Sequence, residues 1–398
     1  MSGPRQLTRR RVAITGFGVV APCGLGKEAF WSGLLGPGLV DAGRSVVIDN
    51  WDSTPYYDSP KDARRADLVE QFAIAASTEA IAQAGDLGVD PTRIGTIFGT
   101  GIGGLHTLEE QIRVLIDKGE RRVSPFLVPM MMANAPGAAV SMRFGLQGPN
   151  ETICTACAAG THAISYAARL ISWGLADAVV AGGSEHAGTP TSLASFGNMT
   201  ALSSSGTSRP FDVERDGFIM GEGAAAFVLE EWDAAISRGV PILGEVLGSG
   251  SNADAHHITA PSPGGVGAIR CINLALADAG LEPGDIKQIN AHGTSTPLND
   301  AAEAAAVEAV FGAGTVPVVS TKGVTGHALG AAGALEAAAV LLSIQHRLIP
   351  PTANTTVLSH DMNIDVVIGE PRPWEPGPAL SNNFGFGGHN GSIIIAPY

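Results

Sequence analysis

Cysteine, basic residues and long apolar runs are all scarce in this sequence of 398 residues. Four cysteines in so long and core-rich a chain do not predict a framework of disulfides. The formal net charge of −14 argues against nucleic acid as a partner, because binding a phosphate backbone requires basic surface. No apolar run reaches the roughly 18–20 uncharged residues of a membrane span. We therefore expect neither a nucleic-acid partner nor a membrane protein.

The N-terminus superficially resembles a twin-arginine export signal. Arg9, Arg10 and Arg11 stand directly before the apolar run Val12–Val20. No small-residue cleavage site follows that run, which is better interpreted as a buried first strand. The sequence therefore predicts a cytoplasmic protein.

Aromatic residues make up only 6% of the chain, whereas 52 residues are glycine and 45% are hydrophobic. This composition suits helices packed closely on a sheet, in two domains or one large layered unit. Strand-like runs alternate with segments of helical periodicity, which indicates an α/β layered fold. The predicted strands are Val12–Val20, Ile94–Gly99, Ile153–Thr155, Ala178–Gly182, Ala224–Glu230, Ile242–Leu247, Ile286–Asn290, Val316–Ser320 and Ser392–Ala396. The predicted helices include Ala73–Ala84, Ile164–Trp173, Ala268–Ala279, Ala301–Val310 and Ala331–Gln345.

The chain has no low-complexity linker that would mark a domain boundary. The nearest candidate is Glu231–Pro241, where one predicted strand ends and another begins. We expect two βα halves, residues 1–235 with insertions and residues 236–398.

Cys157 is the first candidate for a reactive group. It falls where a short predicted strand turns into a helix. There the helix dipole and free N–H groups favour a thiolate and can bind an oxyanion. Most free cysteines, however, are small buried residues, and Cys154, which we place within the strand, fits that description. The residues alone leave both interpretations open for Cys157.

Cys154 and Cys157 also form a C-x-x-C pair, the spacing of some redox and zinc sites. A thioredoxin-like site usually opens a helix early in a small domain, and a structural zinc site requires a second pair of ligands. No second pair is present in the sequence. A metal or redox site is therefore not expected.

Two histidines and a lysine follow predicted strands. Ile286–Asn290 leads into a Gly/Thr loop with His292, and Val316–Ser320 leads to Lys322 and His327. Sites of α/β proteins are usually assembled just beyond strand ends. A polar loop residue hydrogen-bonded for packing also explains either histidine alone.

A fourth segment, residues 382–391, is rich in glycine and precedes the last predicted strand. Its glycines would let a backbone N–H approach a reacting oxygen, although an ordinary glycine-rich turn has the same composition.

Together these segments resemble the β-ketoacyl synthases of fatty-acid and polyketide synthesis, in particular the synthase II type. The resemblance runs in the family order from Arg11 to the C-terminus. The matching motifs are Thr155-Ala-Cys157, Ser208-Arg-Pro-Phe-Asp212, Arg215-Asp-Gly-Phe218, Gly221-Glu222-Gly, Ala291-His292-Gly-Thr-Ser-Thr-Pro, Lys322-Gly-Val-Thr-Gly-His327 and Asn383-Phe-Gly-Phe386-Gly-Gly. This resemblance implies a five-layered α-β-α-β-α thiolase-like fold of two similar halves, normally a dimer.

The resemblance also implies a mechanism. Cys157 would take an acyl chain from a phosphopantetheine thioester, and the N–H groups of Cys157 and Phe386 would form an oxyanion hole. Phe386 would also act as the gate beside Cys157, and Gly387 belongs to the same loop. His292 and His327 would stabilise the enolate formed as malonyl thioester loses carbon dioxide.

Further residues take supporting roles by the same resemblance. Lys322 would be an electrostatic support paired with Glu336, since an isolated buried carboxylate is costly, unless Glu336 faces solvent. Thr294 and Thr296 would hydrogen-bond the pantetheine arm. The last pair, Ile102 and Phe196, would line the acyl pocket, with ordinary core packing as the alternative.

The expected partner is acyl carrier protein, with an identical or related ketosynthase subunit completing a homodimer or heterodimer. No metal or organic cofactor is expected, because the carrier's phosphopantetheine holds the substrates. The candidate carrier patch consists of Lys61, Arg64, Arg65, Arg121 and Arg122, and scattered solvated charge is its alternative.

Two features depart from synthase II relatives. Thr200 stands where they often have arginine, and Val40–Arg65 is shorter than usual. Carrier recognition is therefore open, as is the choice between a fatty-acid and a polyketide pathway.

Related classes differ from this chain at particular residues. Thiolases use a second cysteine near the C-terminus, and none here lies beyond Cys271. Synthases of the third type pair cysteine with one histidine and an asparagine, and chain-length factors lack the nucleophilic cysteine. An elongating enzyme is the leading hypothesis. The alternatives are a non-catalytic partner subunit and a thiol-redox protein.

Overall fold

The computed structural model describes residues 9–398 and, within them, fourteen strands and thirteen α-helices. The strands are β1 (Val12–Ala21), β2 (Gly24–Leu25), β3 (Ile94–Gly99), β4 (Asn150–Ile153), β5 (Ala178–Glu185), β6 (Gly223–Glu231), β7 (Gly244–Ala253), β8 (Gln288–Asn290), β9 (Pro317–Val319), β10 (Leu348–Ile349), β11 (Asp365–Val366), β12 (Arg372–Pro373), β13 (Ala379–Gly385) and β14 (His389–Ala396). The helices are α1 (Lys27–Leu34), α2 (Pro60–Ala63), α3 (Leu68–Ala84), α4 (Leu105–Lys118), α5 (Leu127–Met131), α6 (Ala135–Phe144), α7 (Ala159–Ser172), α8 (Pro190–Asn198), α9 (Trp232–Ser237), α10 (Val266–Ala279), α11 (Pro297–Phe311), α12 (Lys322–Thr325) and α13 (Ala332–His346).

The main sheet repeats one strand pattern in the two halves of the chain. In the first half the order is β4-β3-β5-β6-β1, with β3 parallel to β4 and β5, and β6 antiparallel to β5 and β1. In the second half it is β9-β8-β13-β14-β7, with the same directions. A short antiparallel pairing between β1 and β7 joins the two halves.

Helices cover both faces of each half-sheet. α7 and α13 pack against each other between the half-sheets, where the largest apolar cluster lies. The outer layer of the first half is α3, and that of the second half is α10 with α11. The predicted five-layered α-β-α-β-α fold is therefore confirmed.

α13 owes its position to an almost entirely apolar sequence. With the preceding turn it forms Leu329–His346, which is long and apolar enough to span a membrane by length and composition, yet 89% of that window is buried inside the protein. A helix apolar on all sides is stable in water only in a core. We therefore assign it to the core.

The predicted boundary between residues 235 and 236 falls within α9. α9 connects β6, which belongs to the first half-sheet, with β7, which belongs to the second. The exact boundary stays a prediction.

Candidate active site

Cys157 lies in a short 3-10 turn, Ala156–Ala158, which connects the edge strand β4 to the central helix α7. Ala156 has a φ of 50°, an unfavourable value for a residue with a side chain, so the turn is tight. A Cβ atom on Gly385 would lie 2.8 Å from the Thr155 carbonyl oxygen and 3.1 Å from the Cys157 nitrogen. The loop after β13 can therefore approach the thiol only because residue 385 is glycine.

The structure corrects our placement of Cys154. We expected a buried residue within the strand, but β4 ends at Ile153 and Cys154 is exposed. Because β4 forms the sheet edge, no neighbouring strand covers this position, and the Cys154 thiol donates to the Gly101 carbonyl oxygen at 3.3 Å. Both Cys154 and Cys157 are free thiols.

The two candidate histidines meet at the thiol. His292 follows β8, and His327 follows α12. Nε2 of His327 lies 3.0 Å from Sγ of Cys157, and the two imidazole rings stand nearly perpendicular with centroids 5.3 Å apart. A ring nitrogen of each histidine and the sulfur lie within 4.8 Å of one another. One substrate atom can therefore contact all three side chains.

Lys322 and Glu336 lie directly behind His292, and both are about 1% exposed. The Lys322 ammonium contacts the Glu336 carboxylate and donates to the His292 carbonyl oxygen at 2.5 Å. It also lies 3.4 Å from Nδ1 of the same histidine. Glu336 thus faces the lysine rather than solvent.

Asn383 completes this arrangement, and the sequence analysis gave it no role. Its amide nitrogen donates to Glu336 at 2.7 Å and lies 3.3 Å from Nδ1 of His292. Both neighbours of this Nδ1, the ammonium of Lys322 and the amide of Asn383, are hydrogen-bond donors. A backbone hydrogen bond to Phe384 also acts on this ring and opposes the lowering of the pKa of His292 by burial, so two donors and one acceptor hold the imidazole in place.

Burial sets the protonation states of the reactive groups. Desolvation, and then the charge of Lys322, hold the pKa of both His292 and His327 well below the usual 6.5. Desolvation likewise raises the pKa of the Cys157 thiol to about 12, although Lys322 and a hydrogen bond from the Phe386 backbone oppose the rise. We expected a thiolate at the helix N-terminus. Burial instead keeps a neutral thiol beside neutral imidazoles.

The Phe386 backbone reaches the sulfur from the loop between β13 and β14. Its phenyl ring lies 6.1 Å from the ring of Phe196, and both side chains line the cavity above Cys157. Gly387 does not line this cavity. Its N–H donates to the Ile258 carbonyl oxygen at 2.7 Å, and its φ of 83° shapes the turn that presents Phe386.

The cavity has a volume of about 320 Å³ and Cys157, His292 and His327 in its wall. Thr294 and Thr296 also line it, with their hydroxyl oxygens 2.8 Å apart. Ile102 does not. It is 39% exposed on the loop after β3, and its place in the acyl pocket stays a prediction.

All five residues of the expected carrier patch are exposed, and none forms an ion pair with an acidic side chain of residues 9–398. The guanidinium of Arg65 lies 4.5 Å from the ring centroid of Phe126, so the segment around α2 adjoins the segment after α4. Lys61 and Arg64 belong to the first segment, and Arg121 and Arg122 to the second.

Two further buried carboxylates shape the His292 loop, and the sequence analysis did not identify them. Glu303 accepts from the N–H groups of His292 and Gly293 at 2.8 and 2.7 Å, and Asp300 accepts from the N–H of Thr294 at 2.9 Å. Both lie on α11, which is rich in alanine. An acidic residue within such an apolar stretch is the sequence feature that could have indicated a buried carboxylate with hydrogen-bond donors around it.

A buried thiol beside two imidazoles, at a strand–helix turn of a doubled α/β fold, is an arrangement typical of enzymes that use a cysteine. Family models agree with this class in detail. Residues 36–235 match the β-ketoacyl synthase N-terminal domain, and residues 243–356 match the β-ketoacyl synthase C-terminal domain. The chain belongs to the β-ketoacyl synthase family.

Among curated relatives, 3-oxoacyl-[acyl-carrier-protein] synthase 2 of Synechocystis is 43% identical, over 98% of this chain and 99% of the relative. The solved ishigamide ketosynthase/chain length factor superposes with a TM-score of 0.90 at 32% identity, over 98% of this chain and 100% of that one. A type II polyketide ketosynthase solved with its acyl-carrier protein and bound to the hexaketide superposes with a TM-score of 0.88 at 30% identity, over the same shares.

Proposed function

We propose that this protein catalyses a decarboxylative Claisen condensation in fatty-acid or type II polyketide chain elongation. An acyl chain held on Cys157 reacts with malonyl-acyl-carrier protein and gives 3-oxoacyl-acyl-carrier protein and carbon dioxide. The observation that carries this proposal is the meeting of Cys157, His292 and His327 within 4.8 Å in the wall of one cavity.

In the first step the sulfur of Cys157 attacks the carbonyl carbon of the acyl thioester. The thiol proton ends on the sulfur of the departing phosphopantetheine arm, and the acyl group stays on the enzyme. The N–H groups of Cys157 and Phe386 stabilise the oxyanion, a role supported by the backbone hydrogen bond from Phe386 to the sulfur.

In the second step malonyl thioester takes the place of the released arm. Its carbon–carbon bond to the carboxylate breaks, carbon dioxide leaves, and the electron pair forms an enolate. N–H groups of the two histidines stabilise the enolate oxygen, a task that suits neutral imidazoles of low pKa. The enolate carbon then attacks the acyl thioester and expels the Cys157 thiolate, which takes up one proton from solvent to restore the thiol.

Lys322 is assigned an electrostatic and positioning role, because it touches His292 and Glu336 rather than the cavity. Phe386 acts as the gate over Cys157, and Thr294 and Thr296 hold the pantetheine arm. Phe196 contributes to the acyl pocket.

Acyl carrier protein is the proposed partner, and it docks on the patch of Lys61, Arg64, Arg65, Arg121 and Arg122.

The free edge of β4 supports pairing with an identical or related subunit, since an unpaired strand edge is otherwise prone to aggregation. The helix α6 packs beside β4, and α5 packs against both α6 and α4. All three helices carry exposed apolar side chains, among them Met142, Val128 and Ile116. Ile102 would reach an acyl chain only in such an assembly. Cytoplasmic location and the division at residues 235/236 are retained as proposals.

No resident metal or organic cofactor is proposed, because thiol, imidazole and amide groups supply each step. The three donors at the site could in principle bind a soft metal ion, so the proposal needs its own test. We expect far less than one equivalent of zinc in the purified protein and no loss of condensation with a chelator. Stoichiometric zinc with chelator-sensitive turnover would contradict this part.

The deciding experiment supplies acyl-carrier and malonyl-carrier proteins and follows the enzyme and products by mass spectrometry. We expect an acyl adduct on Cys157, followed by a 3-oxoacyl product. Absence of the adduct with a carrier that a known synthase accepts would overturn the proposal. An adduct without elongated product would instead support a non-elongating partner subunit.

A further inference from the structure

The carboxylate of Glu185 has no part in the mechanism above, yet it lies where the active-site loops meet. Glu185 is the last residue of β5 and is fully buried, at 0% exposure. No basic side chain of residues 9–398 forms an ion pair with it. A buried carboxylate without a cation is costly unless several donors satisfy it, so its partners indicate why it is there.

Those partners come from two separate loops. On one side, Glu185 accepts from the Gly101 N–H at 2.6 Å and the Thr100 hydroxyl at 3.1 Å, in the loop after β3. On the other, it accepts from the Gly330 N–H at 2.9 Å, in the 3-10 turn Leu329–Ala331 before α13. One oxygen, Oε2, accepts from both loops and therefore joins them.

The two loops are packed backbone to backbone at this point. A Cβ atom on Gly330 would lie 2.2 Å from the Gly101 nitrogen and 2.5 Å from the Thr100 carbonyl carbon. No side chain fits at residue 330. The contact between the loops therefore depends on Glu185 to satisfy their buried N–H groups.

The turn that Glu185 holds is part of the active-site wall. It begins two residues after His327, and Leu329 lines the cavity and packs against Cys157. Leu329 has a φ of 43°, an unfavourable value for a residue with a side chain. A conformation of this kind persists only where the surroundings enforce it.

We propose that Glu185 is a positioning residue that fixes the turn after His327 against the loop after β3, and so sets the distance between His327 and Cys157. This inference rests on the proposed function for its kinetic test, but the position of Glu185 relative to the thiol can be tested without it. Displacement of a catalytic group by about 1 Å can cost about 100-fold in rate.

Two variants separate the reach of the side chain from its charge. Glu185→Gln keeps the length but turns one acceptor into an NH₂ donor, which faces the N–H groups of the loops. Glu185→Asp keeps the charge but is one methylene too short to reach both loops. Glu230→Gln is the matched control, because Glu230 is equally buried but contacts Thr15 and Arg238.

For both Glu185 variants we expect kcat for condensation to fall about 10- to 100-fold, with KM for malonyl-carrier protein within about twofold of wild type. In a Cys157→Gln background, Glu185→Asp should also slow malonyl decarboxylation, which reports the position of the histidines. Glu230→Gln should leave both rates unchanged. Thermal unfolding of each variant shows that it is folded at the assay temperature.

Alkylation of Cys157 by iodoacetamide supplies a readout that does not depend on condensation. Burial raises the pKa of the Glu185 carboxyl to about 7, so above that pH its negative charge contributes to the raised pKa of this thiol. Glu185→Gln should therefore shift the alkylation profile to lower pH, whereas Glu185→Asp should not. Wild-type kcat in both folded variants would overturn the inference, as would a loss confined to KM. If wild-type enzyme fails to condense while the alkylation profile shifts as stated, the proposed function fails and the placement of Glu185 beside the thiol stands.

Discussion

Nε2 of His327 lies 3.0 Å from Sγ of Cys157, and no protein group of residues 9–398 hydrogen-bonds the other ring nitrogen of this histidine. Nδ1 of His292, in contrast, faces two donors, Lys322 and Asn383. The ring of His292 is therefore held by its neighbours before substrate arrives, whereas Nδ1 of His327 is not. In the proposed mechanism, this freedom would let the ring of His327 adjust to the enolate oxygen during decarboxylation.

The first prediction separates the two chemical steps. Cys157→Gln should abolish condensation but retain malonyl decarboxylation, because the two histidines that stabilise the enolate remain. His327→Ala in the same background should lower decarboxylation by about 100- to 1000-fold, as expected for loss of a donor to a developing oxyanion. Release of carbon dioxide from malonyl-carrier protein measures both. Loss of decarboxylation in folded Cys157→Gln would contradict this division of roles.

The second prediction concerns the buried pair of Lys322 and Glu336. Glu336→Leu should lower the free energy of unfolding by about 3–5 kcal/mol, because it leaves the ammonium buried without its counter-charge. The double variant Lys322→Met/Glu336→Leu should lose much less than the sum of the losses of Lys322→Met and Glu336→Leu alone, since it leaves no unpaired charge. Urea unfolding of the three variants measures these differences. Strictly additive losses would show that the pair is not coupled.

The third prediction is a dependence of stability on pH. The folded pKa of His327 lies below its unfolded value of about 6.5, so below pH 6.5 the unfolded chain binds a proton that the native site does not. Acidification through pH 6.5 therefore destabilises the fold, by up to about 1.4 kcal/mol per pH unit for this one group. His327→Asn should lose less stability than wild type between pH 6.5 and 5.5. Urea midpoints at each pH supply the comparison, and parallel curves would contradict it.

Much of this fold was predictable because its core strands and helices carry strong apolar patterns. Ile94–Gly99 was predicted with the observed bounds, and the central helix was predicted within one residue at each end. β13 was missed because it is polar: Ser381, Asn382 and Asn383 are buried within it. These side chains hydrogen-bond to neighbouring elements in the fold, which no local pattern reveals.

The site was predictable to the extent that its residues follow strand ends or belong to motifs. The structure brings together Cys157, His292, His327 and Lys322, which come from three separate segments of the sequence. The protonation state of the thiol was not predictable, because a helix terminus is visible in sequence whereas the depth of burial is not. Asn383 and Glu185 were missed for a related reason, since their roles depend on loops from distant parts of the chain.

The last prediction tests the carrier patch. Replacing both Arg121 and Arg122 by glutamate should raise KM for malonyl-carrier protein about 5- to 20-fold, because exposed charges contribute about 0.2–1 kcal/mol each and reversal adds repulsion. The rate with malonyl-pantetheine, which has no carrier, should not change. Lys287→Glu is the control, since Lys287 is exposed at the start of β8, at the opposite end of the strand from His292. The effect should shrink as salt is raised, because salt screens exposed charges. If KM rises equally for malonyl-carrier protein and malonyl-pantetheine, the two arginines support the active site itself rather than carrier docking. If KM rises for neither substrate, the two arginines are not part of the carrier patch.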